Sequence, residues 1–185
     1  MTATQRVLDV GCGRDKLPGA IGIDANPRSH ADIIHDLDVR PWPIQTDSID
    51  FVRAQDVLEH VSDFFGVMAE IFRVCRPGAT VSVRMPFMSS LNFATDPTHR
   101  RAGTSGTFDY FDPNRPMGKY AYTESRFELV RFRYGRFYHG LPGMVFKVID
   151  RILVPYWERN CVVYEHYFAY TYPMHDISYE LRVVK

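Results

Sequence analysis

The stretch that decides the fold is Val7-Leu8-Asp9-Val10-Gly11-Cys12-Gly13, a short apolar run that stops at a glycine. Such a run reads as a buried strand, and Gly-x-Gly lets the backbone turn sharply and approach a ligand closely at the strand's carboxyl end. The pattern returns downstream. Ala20-Ile21-Gly22-Ile23-Asp24, Ile33-Ile34-His35-Asp36, Ile49-Asp50-Phe51-Val52-Arg53-Ala54 and Ala79-Thr80-Val81-Ser82-Val83-Arg84-Met85 read as further strands, most ending at or beside a polar residue. Between the last two, Phe64, Val67, Met68, Ile71, Phe72 and Cys75 recur at helical spacing. Ser62 is placed to cap that helix, Asp63 suits its positive end, and Arg76-Pro77-Gly78 stops it. Strand, helix, strand at this length is a right-handed parallel crossover, which predicts an α/β protein.

Beyond Pro86 the character changes. As far as about Tyr122 the chain is polar, glycine-rich and aromatic, and reads as loop with one short helix around Ser105–Asp112. Arg126–Phe137 and Ile177–Val184 alternate like an antiparallel pair at a sheet edge. Met144–Tyr156 is amphipathic, with Val145, Phe146, Ile149, Ile152 and Leu153 on one stripe. Packing on the sheet or on a second copy of the chain is expected for it, ahead of a membrane surface. The expected organisation is a single domain over 1–185, with a lid or insertion at about 86–125 and the amphipathic helix at about 143–158.

Composition narrows the classes. The 185 residues carry 22 Lys and Arg against 22 Asp and Glu, so no global basic field argues for nucleic acid. The distribution is uneven: residues 1–63 hold eleven acidic side chains against six basic, and residues 97–140 hold eight basic against four acidic. Three scattered cysteines, Cys12, Cys75 and Cys161, fit neither a disulfide framework nor a zinc site. With no signal peptide or spanning run in view, the expectation is a cytoplasmic chain.

The glycine turn says what it can hold. Asp24 ends the second strand, where a carboxylate can accept hydrogen bonds from both hydroxyls of a ribose. A dinucleotide fits badly: Lys16 stands where the third glycine of Gly-x-Gly-x-x-Gly belongs, and Arg14–Gly19 is too short for the helix whose N-terminus anchors a pyrophosphate. S-adenosylmethionine has no phosphate and carries two positive charges, so an acidic pocket without a helix suits it. An NAD oxidoreductase is thereby disfavoured. Taken singly, Asp9 and Asp24 also read as turn carboxylates satisfied by local amides.

These residues resemble a family. Val-Leu-Asp-Val-Gly-Cys-Gly (7–13), Ile-Gly-Ile-Asp-Ala-Asn-Pro (21–27), His-Asp-Leu (35–37), Asp-Val-Leu-Glu-His-Val (56–61) and Glu-Ile-Phe-Arg-Val-Cys-Arg-Pro-Gly-Ala (70–79) are similar, in order and spacing, to class I S-adenosylmethionine-dependent methyltransferases. Asp-Pro-Thr-His (96–99) and Thr-Phe-Asp-Tyr-Phe (107–111) resemble a smaller branch. The resemblance implies a Rossmann-like three-layer α/β sandwich, with a mostly parallel seven-stranded sheet whose last strand is antiparallel. Here its first crossover helix would be nearly absent. It further implies that Asp9, Gly11 and Gly13 line the methionine part of the cofactor, that Asp24 holds the ribose, that Asp36 and Leu37 face the adenine, and that Gln55 closes the pocket.

Methyl transfer needs an aligned acceptor, exclusion of water and, for oxygen or nitrogen, a place for a proton. The acceptor meets the cofactor outside the carboxyl ends of the strands, where Asp56, Asp96 and His99 are the catalytic candidates. His99 comes first because its ordinary pKa suits proton transfer, although Asp96 and His99 read equally well as braces of their own loop. Glu59 and His60 read as structural, and no metal-ligand spacing recurs along the chain. The expected acceptor is a small or medium-sized molecule methylated on oxygen or nitrogen. A non-catalytic cofactor-binding module and an RNA- or protein-modifying methyltransferase are the alternatives.

Overall fold

In the computed structural model, which describes residues 5–138 and 140–185 (residues 140–142 by backbone alone), β1 (Val7–Val10) runs down the middle of a parallel sheet. β2 (Ile21–Asp24) and β4 (Ile49–Gln55) flank it, pairing Leu8 with Ile21 on one side and with Val52 on the other. β3 (Ile33–Ile34) lies outside β2, and β5 (Cys75–Pro86) lies outside β4. The far edge is the antiparallel pair expected from the sequence: β7 (Asp176–Val183) runs against β5, and β6 (Phe127–Gly135) pairs with β7. The seven strands stand in the order β3-β2-β1-β4-β5-β7-β6, with β7 alone reversed. Leu8, Val10, Val52, Ala54, Val81, Val83 and Leu181 are fully buried, and along β5 and β7 buried positions alternate with more exposed ones.

The first crossover has no helix, as expected, and neither do the second and third. Loops take over the packing. Trp42, in the loop before β4, is buried, and its indole N–H donates to the Leu37 carbonyl. Its amide donates to Glu70 inside α1 (Phe64–Val74), so that loop is tied to the first true helix.

Two local expectations about α1 are corrected. Its cap is Asp63, which accepts from the Gly66 amide, while the amides of Ser62 and Asp63 both donate to Asp38. The helix also ends before Arg76-Pro77-Gly78: Cys75 is already extended, and all three residues belong to β5. Proline has no amide to donate and Gly78 takes φ +77°, so the chain turns there without leaving the strand.

The segment after β5 holds α2 (Leu91–Thr95) and two single 3₁₀ turns, Asp109–Phe111 and Gly118–Tyr120. Phe108 and Phe111 are buried and close on Phe64 of α1 with ring centroids 5.9 Å apart, which anchors the segment to the core. α3 (Gly140–Arg159) is longer than the periodicity suggested, and α4 (Cys161–Val163) follows it into a π turn. Its packed side is Asp150, Val154 and Trp157. Most of the apolar stripe read from the sequence faces outward, with Val145 60 % and Ile152 76 % exposed. Among the described residues no helix is long and apolar enough to cross a membrane.

Candidate functional site

The turn after β1 is built on two glycines in the left-handed region, Gly11 at φ +64° and Gly13 at φ +51°. Gly11 admits no side chain, since a Cβ there would stand 2.2 Å from a methyl of Val57. Its amide donates to the Ile23 carbonyl at 2.8 Å, which holds the turn against the end of β2. The Gly13 amide donates to Asp24 Oδ2 at 2.8 Å, and Oδ1 accepts from Asn26 at 2.7 Å. One amide per oxygen fixes the carboxylate and leaves a lone pair on each for a further donor.

Asp24 lines a cleft of about 230 Å³ with Gly11, Ala25, Asp36, Leu37, Asp38, Val57, His60 and Val61. Leu37, Val57 and Val61 give it apolar walls, and the three aspartates make its rim acidic. Of the residues expected at the cofactor, Gly11, Asp24, Asp36 and Leu37 come together here, with Gly13 joined through its bond to Asp24. Asp9 and Gln55 do not reach this wall. Asp9 is buried and accepts from the Leu17 amide at 2.7 Å and from Arg53 at 3.0 Å. Arg53 also donates to Gln55 at 3.3 Å, so one guanidinium ties the two expected ligands together behind the turn.

Sequence reasoning missed Ala25, Asp38, Val57, His60 and Val61. Val57 and Val61 come from a run of turns after β4 that has no regular period. Asp38 carried a signal only in following Asp36 and Leu37. Burial works against its charge, yet the Ser62 and Asp63 amides outweigh it and hold the carboxyl below its ordinary value.

None of the catalytic candidates lines this cleft. Asp56, at φ +54°, is clasped by Arg84, whose Nε stands 3.1 Å from both carboxylate oxygens. Asp96 accepts from the Thr98 amide at 2.8 Å and from its hydroxyl at 2.7 Å. The His99 side chain is only 5 % exposed, stacks on Phe93 and lies behind His60, with ring centroids 4.7 Å apart. Glu59, beside them, is fully buried. His60 is the imidazole that faces the cleft.

A second cleft, of about 410 Å³, opens at the same carboxyl edge of the sheet beyond β5. Ser89, Ser90 and Leu91 reach it from β5, Arg136 and Phe137 from β6, and His175 from the start of β7. The pairings Pro86 with Asp176 and Gly135 with Asp176 put these three strand ends side by side.

A sheet of this order with its penultimate strand reversed is the Rossmann-like architecture of class I methyltransferases. Residues 8–83 match the model of a family described as a methyltransferase domain. Solved structures show the same fold at low identity. An S-adenosylmethionine-dependent methyltransferase from Archaeoglobus fulgidus is 16 % identical with a TM-score of 0.56, covering 96 % of this chain and 86 % of that one. The YcgJ protein from Bacillus subtilis is 13 % identical with a TM-score of 0.60, over 98 % and 92 %. Phosphoethanolamine N-methyltransferase 2 from Haemonchus contortus, in complex with S-adenosyl-L-methionine, is 15 % identical with a TM-score of 0.55, over 100 % of this chain and 49 % of that one. No curated protein matches the chain. The cleft's chemistry fits S-adenosylmethionine: a carboxylate with a free lone pair on each oxygen, apolar walls, an acidic rim and no helix N-terminus at the turn after β1.

Proposed function

We propose that the chain, acting as a single domain, transfers the methyl group to an oxygen or nitrogen atom of a small or medium-sized acceptor seated in the cleft beyond β5. The observation that carries this reading is the pair of clefts at one sheet edge. β1 and β5 lie two strand spacings apart, about 10 Å, which is the reach of an extended nucleoside with its side chain. On this reading Asp24 accepts from the ribose hydroxyls, Leu37 and Asp36 face the adenine, and Gly11 and Gly13 let the backbone approach the methionine part. Asp9, Arg53 and Gln55 hold the turn from behind.

When bound, the cofactor supplies a methyl on a sulfonium that leaves as a neutral thioether. The acceptor–carbon bond forms as the sulfur–carbon bond breaks, and an oxygen or nitrogen acceptor gives up its proton. The protein's task is alignment and exclusion of water. Asp56 does its part by fixing Arg84, and Asp96 by fixing Thr98. His99 stands as support for His60.

Arg136 gives the acceptor cleft its charge. Its guanidinium stacks 3.8 Å from the Tyr172 ring centroid and 5.2 Å from that of Phe146, and its Nε lies 3.5 Å from Asp150. A rigid cation between aromatic faces suits a flat or anionic acceptor. The test is incubation with methyl-labelled S-adenosylmethionine and fractionated small-molecule extract, reading labelled product by mass spectrometry. One labelled product below the size of a protein or nucleic acid, lost in Arg136→Ala, is expected. Label found only in RNA or protein would overturn the acceptor class, and failure to bind S-adenosylhomocysteine would overturn the whole reading.

A further inference from the structure

A carboxylate taken out of water needs donors or a cation around it. Glu59 has neither in its hydrogen bonds: it is 0 % exposed, and both of its oxygens lack a hydrogen-bond partner. Burial pushes its carboxyl up to about 7. What surrounds it is two imidazoles. His99 Nε2 stands 3.9 Å from Glu59 Oε1, beyond hydrogen-bond reach, and one ligating atom from each of Glu59, His60 and His99 lies within 4.8 Å of the others.

The hydrogen bonds around the two rings settle which nitrogens carry protons. His99 Nδ1 is 3.1 Å from the Phe93 carbonyl, which can only accept, so Nδ1 bears the hydrogen and Nε2 the lone pair. The Thr98 hydroxyl spends its one hydrogen on Asp96 Oδ1 at 2.7 Å. Towards His60 Nδ1, 2.8 Å away, it therefore accepts, and His60 too is left with its lone pair on Nε2. His99 thus turns its Nε2 lone pair towards Glu59, and His60, held by Thr98 through Nδ1, keeps Nε2 as its free ligating nitrogen. A second shell that holds Nδ1–H in this way is the usual support of a metal-bound histidine.

We propose that Glu59, His60 and His99 form a binding site for a divalent transition-metal ion of the zinc class, with three protein ligands and a fourth position open to the cleft that His60 lines. Two nitrogens and one oxygen favour zinc over calcium or magnesium, which prefer all-oxygen sets. Bonds of about 2.0–2.1 Å set neighbouring tetrahedral ligands about 3.3 Å apart. The gap from Glu59 to His99 closes to that spacing by a shift within side-chain reach. The site ties the turns after β4 to the loop after β5, beside the cleft that His60 lines. Its ligand set comes together only in the fold, since His99 is remote from the other two in the chain.

The experiment is titration of the chelator-treated full chain with Zn²⁺ in competition with a chromophoric chelator, and with Co²⁺ followed by its visible bands. Expected are one Zn²⁺ per chain at micromolar affinity or tighter and the intense bands of four-coordinate cobalt. At least 100-fold weaker binding is expected in His99→Ala and in Glu59→Gln, with no change in His166→Ala. Glu59→Gln is isosteric and decides the matter should His99→Ala fail to fold. Binding absent from the wild type, or retained in both variants, would overturn the site. S-adenosylhomocysteine binding is measured on the same metal-free protein, so loss of the metal site and loss of the cofactor site are told apart.

Discussion

Two glutamates are buried on the same stretch of chain, one on the approach to α1 and one within it, and they are treated in opposite ways. Glu70 accepts from both nitrogens of an Arg73 fork at 2.7 and 2.9 Å and from the Trp42 amide at 2.7 Å. Burial acts to raise its carboxyl, but Arg73 and the Trp42 amide outweigh it and hold the group below its ordinary value. Glu59 has no such partners and is pushed up. Glu70 spends its charge on architecture, clamping a loop that stands where a crossover helix would otherwise lie. Glu59 keeps its charge unspent beside the cleft, and that is the mark of a group held for a ligand.

The largest effect is expected from breaking the clamp. Glu70→Gln leaves Arg73 half-buried without its anion, at a cost of about 3 kcal/mol in denaturant melts at pH 7. The sign with pH follows from the depressed carboxyl. The stabilisation is complete above the ordinary value of 4.5 and is lost as pH falls through the folded-state value, so the gap between wild type and variant closes on acidification. A gap that held constant down to pH 3 would mean that packing, not charge, carries the contribution.

Asp24 sharpens the comparison from the other side, since it is paired with two amides and still faces the cleft. Asp24→Ala is expected to weaken S-adenosylhomocysteine binding about 30-fold, roughly 2 kcal/mol, by calorimetry. The melt should shift less than in Glu70→Gln. An unchanged affinity would return Asp24 to the role of a turn carboxylate. Gly13→Ala tests the same corner without touching the carboxylate. Nothing lies within 4 Å of a Cβ built there, so only the φ of +51° is strained, at about 1 kcal/mol. A much larger loss would show that the turn has no slack.

What the sequence made legible follows the same division. The strands, their order of appearance and the antiparallel edge pair were readable because each is a local apolar pattern, and the meeting of Gly11, Asp24, Asp36 and Leu37 at one cleft because each follows or ends a strand at the same sheet edge. The α1 cap was misread by one residue: Asp38, from a distant loop, takes the Ser62 and Asp63 amides, and Asp63 rather than Ser62 accepts from the first turn. The α3 stripe was misread because periodicity marks an apolar face without saying what covers it. His60 and Glu59 passed as structural since the third member of their group, His99, arrives only when the loop after β5 folds back.

The smallest expected effect carries the comparison furthest. In metal-free protein Glu59→Gln replaces a buried carboxyl that no hydrogen bond supports with a neutral group of the same shape. Stability at pH 7 should stay level or rise by up to about 1 kcal/mol, where the same substitution at Glu70 costs several times that. A loss of more than about 1 kcal/mol would mean that Glu59 already has a partner in the folded chain. The contrast between the two glutamates would then be one of degree, and the corner beside the cleft would be architecture like the clamp.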